Sequence, residues 1–129
     1  MAKPEELRIF KTKSFSRLAD KEGITTAELI TAAGEVSRGE YEADLGGGVF
    51  KKRIARAGGG KAGGYRVILF FRKNERLFFA YMFAKSDRAN ISQREKRDYK
   101  DAAGLYLDVY TDEELNAKIK AGSIEEIGQ

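Results

Sequence analysis

The chain has 129 residues, of which 42% are hydrophobic and 34% are charged, and its formal net charge is +4. This composition predicts one domain, residues 1–129, with a real core and a well-solvated surface. The sequence contains no cysteine and no histidine, which excludes disulfides, thiolate nucleophiles and the commonest general base. Any catalysis must therefore use Lys, Arg, Tyr, Ser, Asp or Glu.

The N-terminal residues MAKPEELRIF contain no apolar run of the kind found in signal peptides. The longest apolar run, Leu77–Ala84, is far shorter than the roughly 20 residues that cross a bilayer. These features predict a cytoplasmic protein that does not contact a membrane.

The first part of the chain predicts a weak strand followed by two helices. Glu6–Thr12 is a weak strand candidate, and Ser14–Asp20 suits a short helix. Thr25 and Glu28 form a capping box, in which each side chain satisfies a backbone N–H of the other residue. The helix that this box begins is expected to end at Gly39.

The middle of the chain predicts short antiparallel strands. Tyr41–Leu45 and Val49–Arg56 are strand candidates on either side of three glycines. Tyr65–Phe71 and Leu77–Phe83 are dense in aromatic and aliphatic residues and flank a charged turn, which predicts a buried hairpin.

Two further capping boxes predict C-terminal helices. They begin at Ser92, with Glu95, and at Thr111, with Glu114. The order of elements predicts an α+β fold, a small antiparallel sheet with two N-terminal helices and C-terminal helices. We expect these helices to pack on one face of the sheet.

Positive charge is concentrated in the middle of the sequence. No acidic residue lies between Leu45 and Asn74, a stretch that contains eight basic residues: Lys51, Lys52, Arg53, Arg56, Lys61, Arg66, Arg72 and Lys73. Such a segregated field attracts polyanions, although a solvated basic surface without a partner would have the same composition.

Strand alternation separates the cations of Val49–Arg56. Phe50 and Ile54 are expected to face the core, and Lys52 between them must lie near an edge or extend its ammonium group to solvent. Lys51 and Arg53 then project together from the other face.

Two other chemistries find little support. The glycines around Lys61 do not form a phosphate-binding P-loop, because Ala62 stands where Ser or Thr is required. This loop could still let Lys61 approach a nucleic-acid phosphate. The acidic cluster Asp112–Glu114 is explained by stabilisation of a helix N-terminus, so the sequence predicts no metal and no cofactor.

The remaining cations suit the cleavage of RNA. Lys51, Arg53, Arg66 and Lys85 lie on or just after neighbouring predicted strands and can converge on one patch of sheet. RNA supplies its own nucleophile, the 2′-hydroxyl, so cleavage needs a base, cations for the transition state and a proton donor. The same residues could also bind phosphate without chemistry.

Three stretches, VFKKRIA, GGYRVILFF and FFAYMFAKSDRANIS, resemble the RelE/ParE superfamily of bacterial toxins, most closely RelE-like and HigB-like ribosome-associated mRNA endonucleases. The likeness covers about residues 42–110. It implies that Lys51 and Arg53 are the paired cations, with Lys51 as the base, and that Arg66 stabilises the transition state. Lys85 and Arg88 resemble the terminal basic residues, and Lys51 and Arg66 are expected to face solvent.

The sequence departs from this family pattern at Ser92, where many RelE relatives carry a tyrosine that stacks on a base or assists proton transfer. Ser92 cannot stack. Lys85 then supplies the acid, or Tyr81 reaches the site, or the activity is weaker or different.

The resemblance implies a type II toxin, a metal-independent endoribonuclease that cleaves mRNA at the ribosome and inhibits translation. Its partners would be mRNA, the ribosome and a cognate antitoxin encoded by an adjacent gene. Alternatives are a ParE-like DNA gyrase inhibitor of the same fold and a non-catalytic nucleic-acid-binding module. Further RNA contacts are expected from Lys52, Lys61, Arg72, Arg88 and Asn90.

Overall fold

The computed structural model describes residues 7–55 and 64–128. Lys61 and Arg56, which belong to the predicted basic set, lie outside the described residues. No helix within the described ranges is both long enough and apolar enough to cross a membrane.

Helices and strands alternate irregularly along the chain. Their bounds are β1 Arg8–Thr12, α1 Lys13–Glu22, α2 Thr26–Ser37, β2 Ala43–Gly46, β3 Val49–Ile54, β4 Tyr65–Arg72, β5 Arg76–Ala84, α3 Gln93–Gly104, a π-helical turn Leu105–Val109, α4 Asp112–Ala121 and β6 Ile124–Gly128. All three predicted capping boxes are present at the starts of α2, α3 and α4.

The strands form one sheet in the order β2-β3-β4-β5-β1-β6. The predicted hairpin is confirmed, because β4 and β5 pair antiparallel from Tyr65 opposite Ala84 to Arg72 opposite Arg76. β1, predicted as a weak strand, lies inside the sheet, where it runs parallel to β5 and antiparallel to β6. The predicted α+β class is confirmed, while β6 was not expected from the sequence.

Helices cover both faces of the sheet, so the expectation of helices on one face was wrong. On one side, called the α1/α2 face, Phe15 and Leu29 pack with Val67, Leu69 and other apolar residues of the strands. The second core lies on the opposite side, called the α3/α4 face. Its members are Phe10, Val49, Ile68, Phe70, Phe78, Ala80, Phe83, Ala103, Leu107, Leu115 and Ile124.

The two-sided burial explains why β4 and β5 are almost continuously apolar. Residues Tyr65 to Phe70 are all buried, whichever face they point to, because each face contacts a helical layer. A strand buried on both faces loses the polar alternation that marks a half-exposed sheet.

Candidate nucleic-acid interface

Three predicted cations share the α3/α4 face of the sheet. In the β3–β4 ladder Lys51 lies opposite Ile68, and Arg53 lies opposite Arg66. Ile68 belongs to the core of that face, so strand alternation places Lys51, Arg53 and Arg66 on the same side. Neighbouring strands are about 4.8 Å apart, which brings these three side chains together.

Arg66 is buried, not solvent-facing as the sequence suggested. Only 7% of its surface is exposed, and its Nε lies 2.7 Å from Oε1 of Glu42, just before β2. The Glu42 side chain remains 37% exposed, so the pair lies at the border between the sheet and solvent. The arginine is therefore held in one place by a carboxylate in the segment that leads into β2.

The segment after β5 returns to the same cations. Nζ of Lys51 donates to Oδ1 of Asn90 at 3.5 Å, which joins β3 to the loop before α3. Lys85 is exposed in the turn after β5, and its backbone N–H donates to the carbonyl of Gly64 at 3.3 Å. The structure thus places Asn90 beside Lys51, whereas Lys85 lies where β5 ends, next to the residue that precedes β4.

Arg88 is fixed by several partners. Its Nη2 donates to Oε1 of Glu95 at 2.6 Å and its Nη1 to Oε2 at 3.2 Å, while Nε donates to the carbonyl of Asn90 at 3.0 Å. A weaker bond of 3.4 Å joins Nη1 to the hydroxyl of Tyr81. Its guanidinium carbon also lies 5.5 Å from the ring centroid of Phe83, within the range of a cation–π contact.

The Arg88–Glu95 pair is charged over a wide pH range. The hydrogen bond from Arg88, followed by that from the backbone of Ser92, lowers the pKa of Glu95 to about 2. The hydrogen bonds that Arg88 donates to Glu95, and then the one to Tyr81, raise the pKa of Arg88 above its ordinary value. Much of the positive charge of Arg88 is therefore already compensated within the protein.

Aromatic side chains complete this end of the face. Tyr81, which lies opposite Ile68 in the ladder, stacks on Tyr99 with ring centroids 6.2 Å apart. Burial is the main reason that the pKa of Tyr99 is raised to about 12, with the charge of Glu95 as the next cause. Tyr81 is thus on the same face of the sheet as Lys51. This position is the one that a role for Tyr81 beside the cations requires.

Two predicted RNA contacts lie elsewhere. Lys52 points to the α1/α2 face, where its Nζ is 3.0 Å from Oε1 of Glu35 on α2. Arg72 pairs with Asp108 of the π-helical turn at 2.6 Å. It is six residues from Arg66 on β4, or about 20 Å at the rise of a strand. The structure separates both residues from the other cations, and we do not include them in the interface.

Sequence reasoning missed the two acidic residues that hold the cations. Glu95 was recognised only as the capping residue of α3, although the same carboxylate binds Arg88. Glu42 carried no signal, because its pairing with Arg66 depends on the way β2, β3 and β4 align. Both contacts bridge elements, and neither follows a local spacing rule.

The fold is thus a small α+β domain whose sheet has helices on both faces and carries a cluster of cationic and aromatic side chains on the α3/α4 face. The model of the RelE family, the RelE toxin of the RelE/RelB toxin–antitoxin system, matches residues 7–127. The chain belongs to this toxin family, which implies an antitoxin partner. No curated protein sequence matches the chain at a significant level.

Proposed function

We propose that this toxin is an endoribonuclease that cleaves mRNA at the ribosome, in the cytoplasm, and thereby inhibits translation. The observation that carries the proposal is the convergence of Lys51, Arg53 and Arg66 on one sheet face in a chain of the RelE family. A scissile phosphate placed over this face would meet cations from two adjacent strands.

The proposed reaction uses the nucleophile that RNA contains. Lys51 is assigned as the general base that takes the proton of a 2′-hydroxyl, whose oxygen attacks the adjacent phosphorus. Arg53 and Arg66 stabilise the extra negative charge of the phosphorane-like transition state. The bond to the 5′-oxygen then breaks, leaving a 2′,3′-cyclic phosphate and a 5′-hydroxyl. These steps need no metal ion, so cleavage should survive EDTA when the ribosomes are kept intact.

The 5′-oxygen must receive a proton as it leaves. We assign this role to Lys85, which is exposed in the turn directly after β5. Tyr81 is the alternative, because its ring lies on the same face, although its hydroxyl contacts Arg88. Lys85→Ala and Tyr81→Phe distinguish the two, since only the change that removes the acid should lower the rate of cleavage.

The antitoxin is proposed to be encoded by an adjacent gene and to cover this interface. A stable complex typically buries at least about 1,200 Å². Acidic residues of the antitoxin should lie against Lys51, Arg53, Arg66 or Lys85, or its bulk should keep the toxin from the ribosome. Co-expression with the adjacent gene should restore growth. Persistent toxicity with every neighbouring gene supplied would contradict this assignment.

The proposed function is tested by inducing the toxin alone in bacteria and mapping transcript ends by primer extension. We expect arrested translation and new ends inside coding regions, with far fewer ends for Lys51→Ala. Intact transcripts together with DNA breaks at gyrase sites would establish the ParE-like activity instead. RNA binding without cleavage would identify a non-catalytic module.

A further inference from the structure

A cavity of about 210 Å³ opens beside the proposed interface, at the outer edge of β5. The pairing of β1 with β5 ends where Lys11 meets Phe79, so the last residues of β5 run on beside α1. Leu18 of α1 and Met82 of β5 contribute apolar surface to the cavity, and Arg88 closes it on the side of the interface. Pockets for drug-sized molecules occupy roughly 300–1,000 Å³, so this one suits a smaller, single-ring group.

The formal charges of the residues that line the cavity sum to zero, and Glu95, outside the lining, further offsets the charge of Arg88. Lys21 and Arg88 contribute two positive charges, and Glu22 and Asp87 contribute two negative ones. A phosphate group would gain little from such a balanced lining. A neutral ring with polar edges fits it better, since its faces meet apolar surface and its edges meet charged groups.

Arg88 has the properties of a stacking platform. Four hydrogen bonds, to Glu95, Tyr81 and Asn90, fix the orientation of its guanidinium group, which lies over the ring of Phe83. Single-stranded RNA bases commonly stack on arginine planes of this kind. Because Glu95 compensates its charge, Arg88 is better suited to a base than to a phosphate.

The cavity is also within reach of a nucleotide whose phosphate lies on the cations. Phe83, at the cavity, is the direct cross-strand partner of Arg66. Side chains in such pairs have Cβ atoms roughly 5 Å apart. A base can therefore enter the cavity while a phosphate of the same strand contacts Arg66.

We propose that this cavity is a nucleobase-binding site, in which a base of the RNA stacks on Arg88 and directs its edge towards Glu22 and Asp87. The proposal rests on the proposed binding of RNA. Carboxylates accept hydrogen bonds from exocyclic amino groups, as they do from N4 of cytosine. The site therefore favours an amino-bearing base such as cytosine over uracil.

The test uses fluorescently labelled 2′-O-methyl hexanucleotides, which lack the nucleophilic hydroxyl and cannot be cleaved. Oligocytidine, oligouridine and an abasic backbone of the same length are compared by anisotropy at one salt concentration. We expect oligocytidine to bind at least about fivefold more tightly than the abasic backbone, the lower end of base stacking on protein side chains. Oligouridine should fall between them.

Two sets of variants locate the effect. Arg88→Lys keeps the charge but loses the planar guanidinium group, so it should bring the ratio of oligocytidine affinity to abasic affinity close to one. Glu22→Gln with Asp87→Asn, at exposed positions, should narrow the difference between cytosine and uracil. Lys73→Ala, in the turn between β4 and β5, is the control and should leave the preference unchanged.

Equal binding of all three oligonucleotides by the wild-type protein, or no binding at all, would overturn the proposed base site. The proposal would also be overturned if the Arg88→Lys variant kept the full base-dependent gain in affinity. The same holds if the Glu22→Gln, Asp87→Asn double variant kept the preference for cytosine. The mapping of transcript ends reports on cleavage separately. Base preference without transcript cleavage would therefore contradict the nuclease and leave the base site standing.

Discussion

The carboxylate of Glu42 lies 2.7 Å from Nε of Arg66, so the arginine proposed to stabilise the transition state is ion-paired before any RNA is bound. An incoming phosphate must share this guanidinium with Glu42 or displace the carboxylate. The pair thus orients Arg66 and, at the same time, reduces the positive potential of the interface.

Replacing Glu42 by glutamine should strengthen RNA binding, because it removes the negative charge that competes with phosphate. If one further phosphate is neutralised, the plot of log K against log salt should become steeper by about 0.7. The measurement is anisotropy of non-cleavable RNA across a KCl series. Glu40→Gln is the matched control, since Glu40 pairs with exposed Arg38 and the net charge changes equally. Weaker binding, or an unchanged slope, would mean that Glu42 does not oppose the phosphate.

Lys51→Ala and Arg66→Ala should each lower the rate of mRNA cleavage on ribosomes by at least about tenfold, since a general base commonly contributes 10²–10⁴. Lys73→Ala and Arg72→Ala make the same chemical changes at the other end of β4. Both control variants should retain cleavage close to that of the wild type. Full activity in the Lys51–Arg66 double variant would contradict the assigned roles.

The two substitutions should differ in their effect on folding. Lys51 is only partly buried, whereas Arg66 is 7% exposed and holds Glu42. Arg66→Ala should therefore lower the melting temperature more than Lys51→Ala does. Cleavage by both variants must be compared well below their melting temperatures, so that a loss of rate is not a loss of fold.

Local rules predicted most of the elements correctly. The capping boxes that begin at Thr25, Ser92 and Thr111 are all formed, because each depends on residues only three positions apart. The hairpin of β4 and β5 followed from its apolar runs and charged turn. The placement of β1 between β5 and β6 depends on contacts across more than 60 residues, which no short pattern encodes.

In the candidate site, too, local patterns predicted some features correctly and long-range contacts decided the others. Strand alternation correctly placed Lys51 and Arg53 on one face and Lys52 on the other. It did not show which charges would be compensated, because Glu35 and Glu42 reach the cations from other elements. Composition showed where the basic residues are, while the tertiary structure decides which of them share a surface.

Glu95 makes the stability of the fold depend on pH in the acidic range. Its pKa is lowered from 4.5 to about 2, chiefly by Arg88. A lowered pKa adds stability above the unfolded value, and this stability is lost as pH falls through the folded value. Glu95→Gln should thus be less stable than wild type above pH 4.5, and the difference should vanish towards pH 2. Chemical denaturation across this range measures it.

Glutamine can still occupy the capping position, so this variant tests the arginine contact and not the cap. Glu28→Gln provides the control, because the described bonds of Glu28 are to Thr25 in a capping box of the same form. A pH dependence of equal size in both variants would assign the effect to capping alone.

The last prediction concerns Arg76, which closes the π-helical turn. Its Nη1 donates to the carbonyls of Tyr106 at 2.8 Å and Tyr110 at 2.7 Å, and its Nη2 donates to Asp112 at 3.1 Å. The side chain is only 13% exposed, so little water can replace these bonds when it is removed. Arg76→Ala should therefore destabilise the fold by about 3 kcal/mol, and Arg76→Lys by less.

Thermal unfolding measures this loss, which for a domain of this size lowers the melting temperature by roughly 10 °C. Arg97→Ala, at an exposed position of α3, should change it little. Arg76 lies opposite Arg72 in the β4–β5 ladder, at the end of the hairpin that is far from the interface. Its position on β5 is about 20 Å from that of Phe83. Cleavage by Arg76→Ala should thus stay near the wild-type rate while the protein is folded. A large loss of rate in the folded variant would instead place Arg76 in the functional site.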